Sequence, residues 1–309
     1  MLDFKKITLE DKEILMKYLY RYGENSCQHS FVSMFCMAEK YGDMYAEDNG
    51  YIFILRSSKC TSEHRIYLFP MGDMENKKAL MDAISKILED AKEHGKKVRF
   101  ETLTPKATDA INSLFPGRFK SENIRDYAEY IYTHEKLALL PGKELASKRY
   151  DINTFFRDYG ERCVIETIGL KHMEEIKAFQ KVWLSDMLKD AEDVQLELEN
   201  TAIGIGLDNF FELGLSGIVI YVDGKMAGYA YGAPISDDCY NVIIEKGDRS
   251  IADIYRVLNR DLVRMCCDGF SYINREEDVG VEGLRKAKMS YKPDILLEKY
   301  IVTEVQELE

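Results

Sequence analysis

The sequence predicts an α/β chain (α+β in the broader sense), built as a tandem duplication of one mixed-sheet module flanked by helices. Three observations support this. The same order of strand-like and helix-like segments recurs in the two halves of the 309 residues. Gly50 and Gly217 mark the approach to matching strands, and Gly95 and Gly269 follow matching long helices, at similar offsets. A duplication of this length reads as a repeated domain, not a short-period solenoid. Residues 136–162, with Pro141-Gly142 and a helical pattern, read as the join. The expected boundaries are therefore 1–135, 136–162 and 163–309.

The first half opens with helical spacing from Leu9 to Tyr20 and again over residues 30–37. Strands are expected at 51–55 and 65–69, where β-branched and aromatic residues cluster. An amphipathic helix is expected from Asn76 to His94, stopped by Gly95 as a C-cap. Residues 97–101 form the next strand. Pro105 follows Thr104 at the first position of a short helix, where its missing N–H costs nothing. Residues 127–132 close the half. The second half repeats the order: a strand at 163–168, helices at 171–184 and 194–213, and strands at 217–222 and 225–231. Asp223-Gly224 joins the last two as a hairpin turn. A central strand at 241–244 precedes a long helix from Ser250 to Cys267. A strand at 270–273, a short helix and a closing strand at 295–302 finish the chain.

Composition narrows the function classes. The net charge of -12 argues against DNA and extended nucleic-acid binding, though a local basic cleft for a phosphate or tRNA remains compatible with it. The longest apolar runs are strand-sized, well short of the roughly 18–20 residues that cross a bilayer, and the N-terminal residues enter a charged pattern at once, so no secretory signal and no membrane span are expected. Seven scattered cysteines without a CxxC pair suit a reducing, cytoplasmic setting. Five scattered histidines show no metal-ligand spacing, so no metal is expected.

The segment from Tyr272 to Pro293 is the most informative. It places a polar turn between a short strand and a helix with two faces. Leu284, Ala287 and Tyr291 share one face; Arg285, Lys288 and Lys292 share another. A basic stripe on an acidic chain suits an anionic ligand, although Glu276, Glu277 and Asp278 can neutralise part of it and a solvated face has the same pattern.

The element order is similar to the GCN5-related N-acetyltransferase (GNAT) fold. Two copies resemble the tandem arrangement of the peptidoglycan aminoacyltransferases and of the phosphatidylglycerol lysyltransferase C-terminal domain. Residues 26–31, 67–72, 126–132, Lys148-Arg149 with Asn153 and Phe155, 244–246 and 272–293 resemble the family DUF2156, grouped with that C-terminal domain. Tyr150 departs from the asparagine that usually follows Lys-Arg there. The flippase region of the lysyltransferases is absent from the sequence, which puts a lipid acceptor in doubt.

The resemblance implies a donor site in the second module, where the central strand and its neighbour splay apart and a helix start can hold a pyrophosphate. The positions implied are Ile243, Ile244, Lys246, Gly247, Asp248, Arg249 and Ser250, with Arg285 and Lys288 adding positive charge. The usual glycine pair of such loops is missing. Glu245 is the candidate base or electrostatic group, Asn274 would position a carbonyl or amide, and Tyr291 would donate a proton or serve as a packed core residue. Asp126, Tyr132, Lys148 and Arg149 are further candidates. The corresponding first-module loop, 71–76, has no basic residue, so that copy is expected to be degenerate and structural, or to shape the acceptor site. The function implied is an acyltransferase or aminoacyltransferase. It would move an acyl group from coenzyme A or aminoacyl-tRNA to an amine or hydroxyl by direct attack, with a small-molecule donor, an unknown acceptor and charged tRNA as the alternative partner. The competing readings are a non-catalytic ligand-binding or regulatory protein with a decayed site, and a structural interaction protein.

Overall fold

The computed structural model describes residues 2–188 and 193–305. Along the first part of the chain run β1 (Lys5–Lys6), α1 (Lys12–Tyr22), α2 (Phe31–Cys36), α3 (Ala38–Tyr41), β2 (Asp43–Asp48), β3 (Tyr51–Arg56) and β4 (His64–Tyr67). Next come α4 (Lys77–Glu93), β5 (Lys97–Leu103), α5 (Pro105–Leu114), β6 (Phe119–Asn123), β7 (Glu129–Thr133), α6 (His134–Leu139) and α7 (Ala146–Tyr159). The chain continues through β8 (Cys163–Thr167), α8 (Met173–Met187), α9 (Val194–Asp208), β9 (Ser216–Val222), β10 (Lys225–Pro234) and β11 (Cys239–Gly247). It ends with α10 (Ile254–Cys266), β12 (Tyr272–Asn274), α11 (Glu282–Met289), β13 (Ile295–Leu297) and β14 (Tyr300–Glu304).

The expected mixed α/β class, with two mixed sheets flanked by helices, is what the chain forms. The first sheet has the order β1-β2-β3-β4-β5-β14-β6, with β4 and β5 parallel. The second has the order β13-β7-β12-β11-β10-β9-β8, with β11 and β12 parallel. Strand for strand the two orders match, with β14 and β7 in equivalent places.

That equivalence corrects the expected boundaries. β7, the closing strand of the first half, pairs with β12 in the second sheet. β14, the closing strand of the second half, sits between β5 and β6 in the first. The compact units are consequently discontinuous: unit 1 holds residues 2–129, 277–285 and 296–305, and unit 2 holds 130–276 and 286–295. The expected join is not a linker, because α6 and α7 pack against α10 within unit 2. A strand's apolar pattern requires burial but does not say in which sheet, and pairing between distant segments is invisible to local periodicity.

Local chemistry accounts for the elements that position the site. In unit 1, Asn76 accepts a hydrogen bond from the Ala79 N–H and caps α4. Leu80, Ala83, Ile84, Ile87, Leu88 and Ala91 form its buried stripe, the larger of these each contributing about 1.5–3 kcal/mol on burial. Gly95, at φ 65, ends that helix. Thr104 accepts from the Ala107 N–H ahead of Pro105 and caps α5. In unit 2, Asp223 and Gly224 both take positive φ in the turn between β9 and β10. The expected helix at Ser250 starts later, at Ile254: Asp253 lies at φ 63, outside helical geometry, and the preceding residues form a turn closed by Ile251 N–H donating to the Asp248 carbonyl. β2 and β6 were not expected, since charged residues interrupt their alternation.

Candidate functional site: the splayed strands of unit 2

β11 and β12 pair only through Cys239↔Tyr272, Tyr240↔Ile273 and Asn241↔Asn274. β11 continues to Gly247, while β12 stops at Asn274. Two local devices separate them. On β11, Val242 lies opposite Gly232 and Ile244 opposite Tyr231, so Ile243 is an extra residue in a β-bulge. A bulge bends its strand and increases its twist. Past β12, the Asn274 Oδ1 accepts from the Glu276 N–H at 2.7 Å, and Glu276 takes φ 57. This turn sends the backbone to β7 instead: Arg275 N–H donates to the Tyr130 carbonyl, and Tyr130 N–H to that of Glu276.

The resulting wedge is polar, with Asn241 and Asn274 buried and Glu245, Arg275 and Glu276 half-buried. Arg275 Nη2 donates to Glu245 Oε2 at 2.6 Å, linking the residue after β12 to the far part of β11. The guanidinium lies 5.2 Å from the Tyr291 ring. Burial would lower the Arg275 pKa, but Glu245, Tyr132 and Tyr291 raise it overall, so the group is held as a cation. Asn241 Nδ2 donates to Glu276 Oε1 at 2.8 Å. Four buried atoms of these side chains have no hydrogen-bond partner among the described residues: Arg275 Nε and Nη1, Glu245 Oε1 and Asn241 Oδ1. A buried polar atom left unsatisfied costs about 1–3 kcal/mol, more when charged, so such a cluster is expensive unless it meets a polar partner.

Lys148, on α7, stands at the rim with its Nζ 4.9 Å from the Tyr291 ring centroid. Among the described residues it has no carboxylate partner within ion-pair distance. Burial lowers its pKa first and nearby Arg256 lowers it further, so its proton is held less tightly than on an ordinary lysine. Arg256 itself is engaged by Asp151 at 2.9 Å and by Asp253 at the start of α10. Tyr291 is buried, and that burial raises its phenol pKa against the opposing charge of Arg275. Tyr132 is raised by the same cause and donates to the Lys288 carbonyl at 2.8 Å.

Of the residues expected from sequence, Glu245, Asn274, Tyr291, Tyr132 and Lys148 come together here. The others lie elsewhere or face other partners. Lys246, next to Glu245, points to the opposite face; it pairs with Glu199 at 2.8 Å and lies 4.0 Å over Trp183. Ile244 is buried and Ile243 half-buried. Gly247 backs onto α10, where a Cβ would lie 2.8 Å from Ile254 Cγ2. Asp248 accepts from the Ser250 N–H and hydroxyl, and exposed Arg249 reaches the Met187 sulfur. Arg149 donates to the Gly142 carbonyl and pins that loop. Lys288 lies 5.8 Å over the Tyr130 ring. Arg285 and Asp126 belong to unit 1, where Arg285 donates to Asp126 at 2.6 Å and to buried Asp278 at 2.8 Å. The basic stripe therefore does not act as one surface. Arg275, Asn241 and the Asp151–Arg256–Asp253 cluster were not expected. Arg275 lies inside the motif from Tyr272, but beside three acidic residues it reads as one end of a solvated ion pair.

Among the described residues, no group of three His, Cys, Asp or Glu side chains could hold a metal ion, and no helix is long and apolar enough to cross a membrane.

A family model described as phosphatidylglycerol lysyltransferase, C-terminal, matches residues 20–303. The chain belongs to this family. A conserved protein of unknown function from Bacteroides thetaiotaomicron is 30% identical, with a TM-score of 0.91 over 99% of this chain and 100% of that one. The C-terminal domain of a putative lysylphosphatidylglycerol synthetase from Agrobacterium fabrum shares the fold at 14% identity and a TM-score of 0.66, covering 96% and 92% of the two chains. L-PGS from Bacillus licheniformis shares it at 15% identity and 0.64, covering 96% and 93%. An uncharacterized protein of Mycoplasmoides gallisepticum is 21% identical over 263 residues, 85% of this chain and 82% of that protein. Membership of the lysyltransferase C-terminal family, together with this fold, indicates an acyltransferase of that type.

Proposed function

We propose that the wedge of unit 2 transfers an acyl or aminoacyl group from a coenzyme A thioester or an aminoacyl-tRNA ester to an amine or hydroxyl. The observation that carries this reading is the set of four partnerless buried atoms on Arg275, Glu245 and Asn241, gathered where the strands part. They offer two donors and two acceptors to a carbonyl-bearing group. The fit to a pantetheine or aminoacyl moiety rests on these atoms: Asn241 Oδ1 would accept from its amide or amine, and Arg275 would donate to its carbonyl.

In this reading the acceptor's lone pair attacks the acyl carbon. A C–N or C–O bond forms, and the C–S or C–O bond to the donor breaks. Arg275 stabilises the oxygen as negative charge builds on it, the term that contributes most in acyl transfer. Glu245 acts electrostatically, holding Arg275 in place through its committed oxygen. Asn274 holds the turn that aims Arg275. Tyr291, kept protonated by burial, supplies the proton to the leaving thiolate or alkoxide. Lys148 either anchors a donor phosphate or takes the proton lost by the acceptor; its lowered pKa suits the second role.

Calorimetric titration tests the reading. Tight binding of acetyl-CoA supports the thioester donor, and binding of charged but not uncharged tRNA supports the ester donor. Arg275→Lys should weaken whichever binds at least tenfold. A protein that binds neither would overturn the proposal. The engagement of Glu245 by Arg275 favours a second reading, a ligand-binding protein without turnover. Unchanged turnover of a proven substrate in Glu245→Gln and Asn274→Ala would remove the catalytic assignment of those residues.

A further inference from the structure

Unit 1 has the same strand order, and its own wedge lies past the last pair of β4 and β5, Tyr67↔Phe100. A narrow space of about 10 Å³ remains there, with Tyr22, Glu24, His29, Phe69, Met71 and Ala107 on its wall. His29 is 3% exposed. Its Nδ1 lies 3.1 Å from the Gly23 carbonyl oxygen. A carbonyl only accepts, so Nδ1 carries the hydrogen. In a neutral imidazole the other nitrogen is then a lone-pair acceptor. The ring is neutral near pH 7: burial, then the nearby Lys299 charge, push its pKa down to about 4, against the Gly23 hydrogen bond. His29 Nε2 is buried and has no partner among the described residues.

We infer that this space is a binding site for one resident water molecule, which donates a hydrogen bond to His29 Nε2. Size and energy agree. A cavity needs roughly 10–15 Å³ to hold one water, and the space here is at that limit. An uncovered acceptor costs about 1–3 kcal/mol, against about 0–2 kcal/mol to immobilise a bridging water. Glu24 lies on the same wall, where its carboxylate accepts from the Thr104 hydroxyl, and we assign it as the acceptor for the water's other hydrogen. The inference stands whether or not unit 2 is a transferase.

The test uses the whole chain. A crystal structure at a resolution that shows ordered solvent should place a water within hydrogen-bond distance of His29 Nε2. Nitrogen-15 spectra of histidine-labelled protein at neutral pH should show His29 protonated on Nδ1. An Nε2-protonated ring, or a site without density in such a map, would overturn the inference. His29→Phe should lose the water; if that variant does not fold, the two wild-type observations still decide. Melting in ammonium chloride and in sodium chloride at equal ionic strength should coincide. A rise specific to ammonium would assign the site to that cation and overturn the water.

Discussion

The two wedges occupy the same place in two matching sheets and are lined in opposite ways. In unit 1 the last paired positions are Tyr67 and Phe100; in unit 2 they are Asn241 and Asn274. Further along the central strand, Met71 stands where unit 2 has Glu245. Just past the neighbouring strand, Glu101 stands where unit 2 has Arg275. The backbone device is retained: Thr102 and Glu276 occupy equivalent positions and take φ 58 and 57. For a β-branched residue such as Thr102 that conformation is a genuine outlier. The side chains are what changed. Phe100 packs 6.4 Å from Phe69 and 6.0 Å from Phe119, filling the first wedge with rings. The second keeps unpaired polar atoms. One fold can thus carry a packed core or a polar cleft at the same site, because the bulge and turn open the strands and the side chains decide what fills the gap.

Breaking the polar wedge should have the largest effect. Arg275→Ala leaves half-buried Glu245 without its cation and should cost up to about 3–5 kcal/mol in denaturant unfolding, the range for breaking a buried pair. The double variant Arg275→Met with Glu245→Leu should recover most of that loss. An equal loss in the double variant would mean that packing, not charge pairing, sets the cost. Importing the polar residue into the packed wedge should come close behind. Phe100→Asn removes a ring from the unit 1 core and should cost about 3–5 kcal/mol by the same measurement. A cost below 1 kcal/mol would show that the rings do not fill the first wedge as tightly as their distances imply.

The pH response of unit 1 should be intermediate. His29 titrates near 6.5 when unfolded and near 4 when folded, so the unfolded chain binds the proton first as pH falls. Its contribution is complete above about pH 6.5 and is lost toward pH 4, of order 3 kcal/mol in all. Asp43 works in the opposite direction. Burial, only partly offset by Arg56, raises its carboxyl to about 6, so it favours the folded state as pH falls from 6 to 4. Unfolding free energies measured between pH 4 and 7 should rise less with pH, or fall, in His29→Gln relative to the wild type, and rise more with pH in Asp43→Asn. Matching slopes would mean that neither group shifts on folding. Gly247→Ala should cost about 1–3 kcal/mol, the range for overpacking a core, since its methyl would meet Ile254. The smallest stability effect belongs to Lys148→Met, within about 0.5 kcal/mol for a rim position. The same variant should weaken donor binding about tenfold, and unaltered binding would remove Lys148 from the site.

The motif from Tyr272 to Pro293 holds several of the residues that gather where β11 and β12 part. Asn274 was legible in it as a strand end; Tyr291, expected on the helix, lies two residues past the end of α11. Arg275 was not legible, because an arginine beside Glu276, Glu277 and Asp278 has the composition of a solvated turn. Only the third dimension sends its side chain inward to Glu245, thirty positions earlier in the chain. The basic stripe failed for the complementary reason: Arg285 shares a helix face with Lys288, yet its partners are Asp126 and Asp278. Periodicity reports which side chains share a face and says nothing about which distant charges meet them.

The sequence by itself determined the elements and their repeated order, because strands and helices follow from local periodicity, caps and turns. It also carried the family, through motifs spread along nearly the whole chain. The tertiary structure decided the exchange of β7 and β14, and with it the true composition of each unit. It also decided that one wedge is packed with rings and the other left polar. Both depend on pairing between residues far apart in the chain, and a local pattern limits such pairing without selecting it.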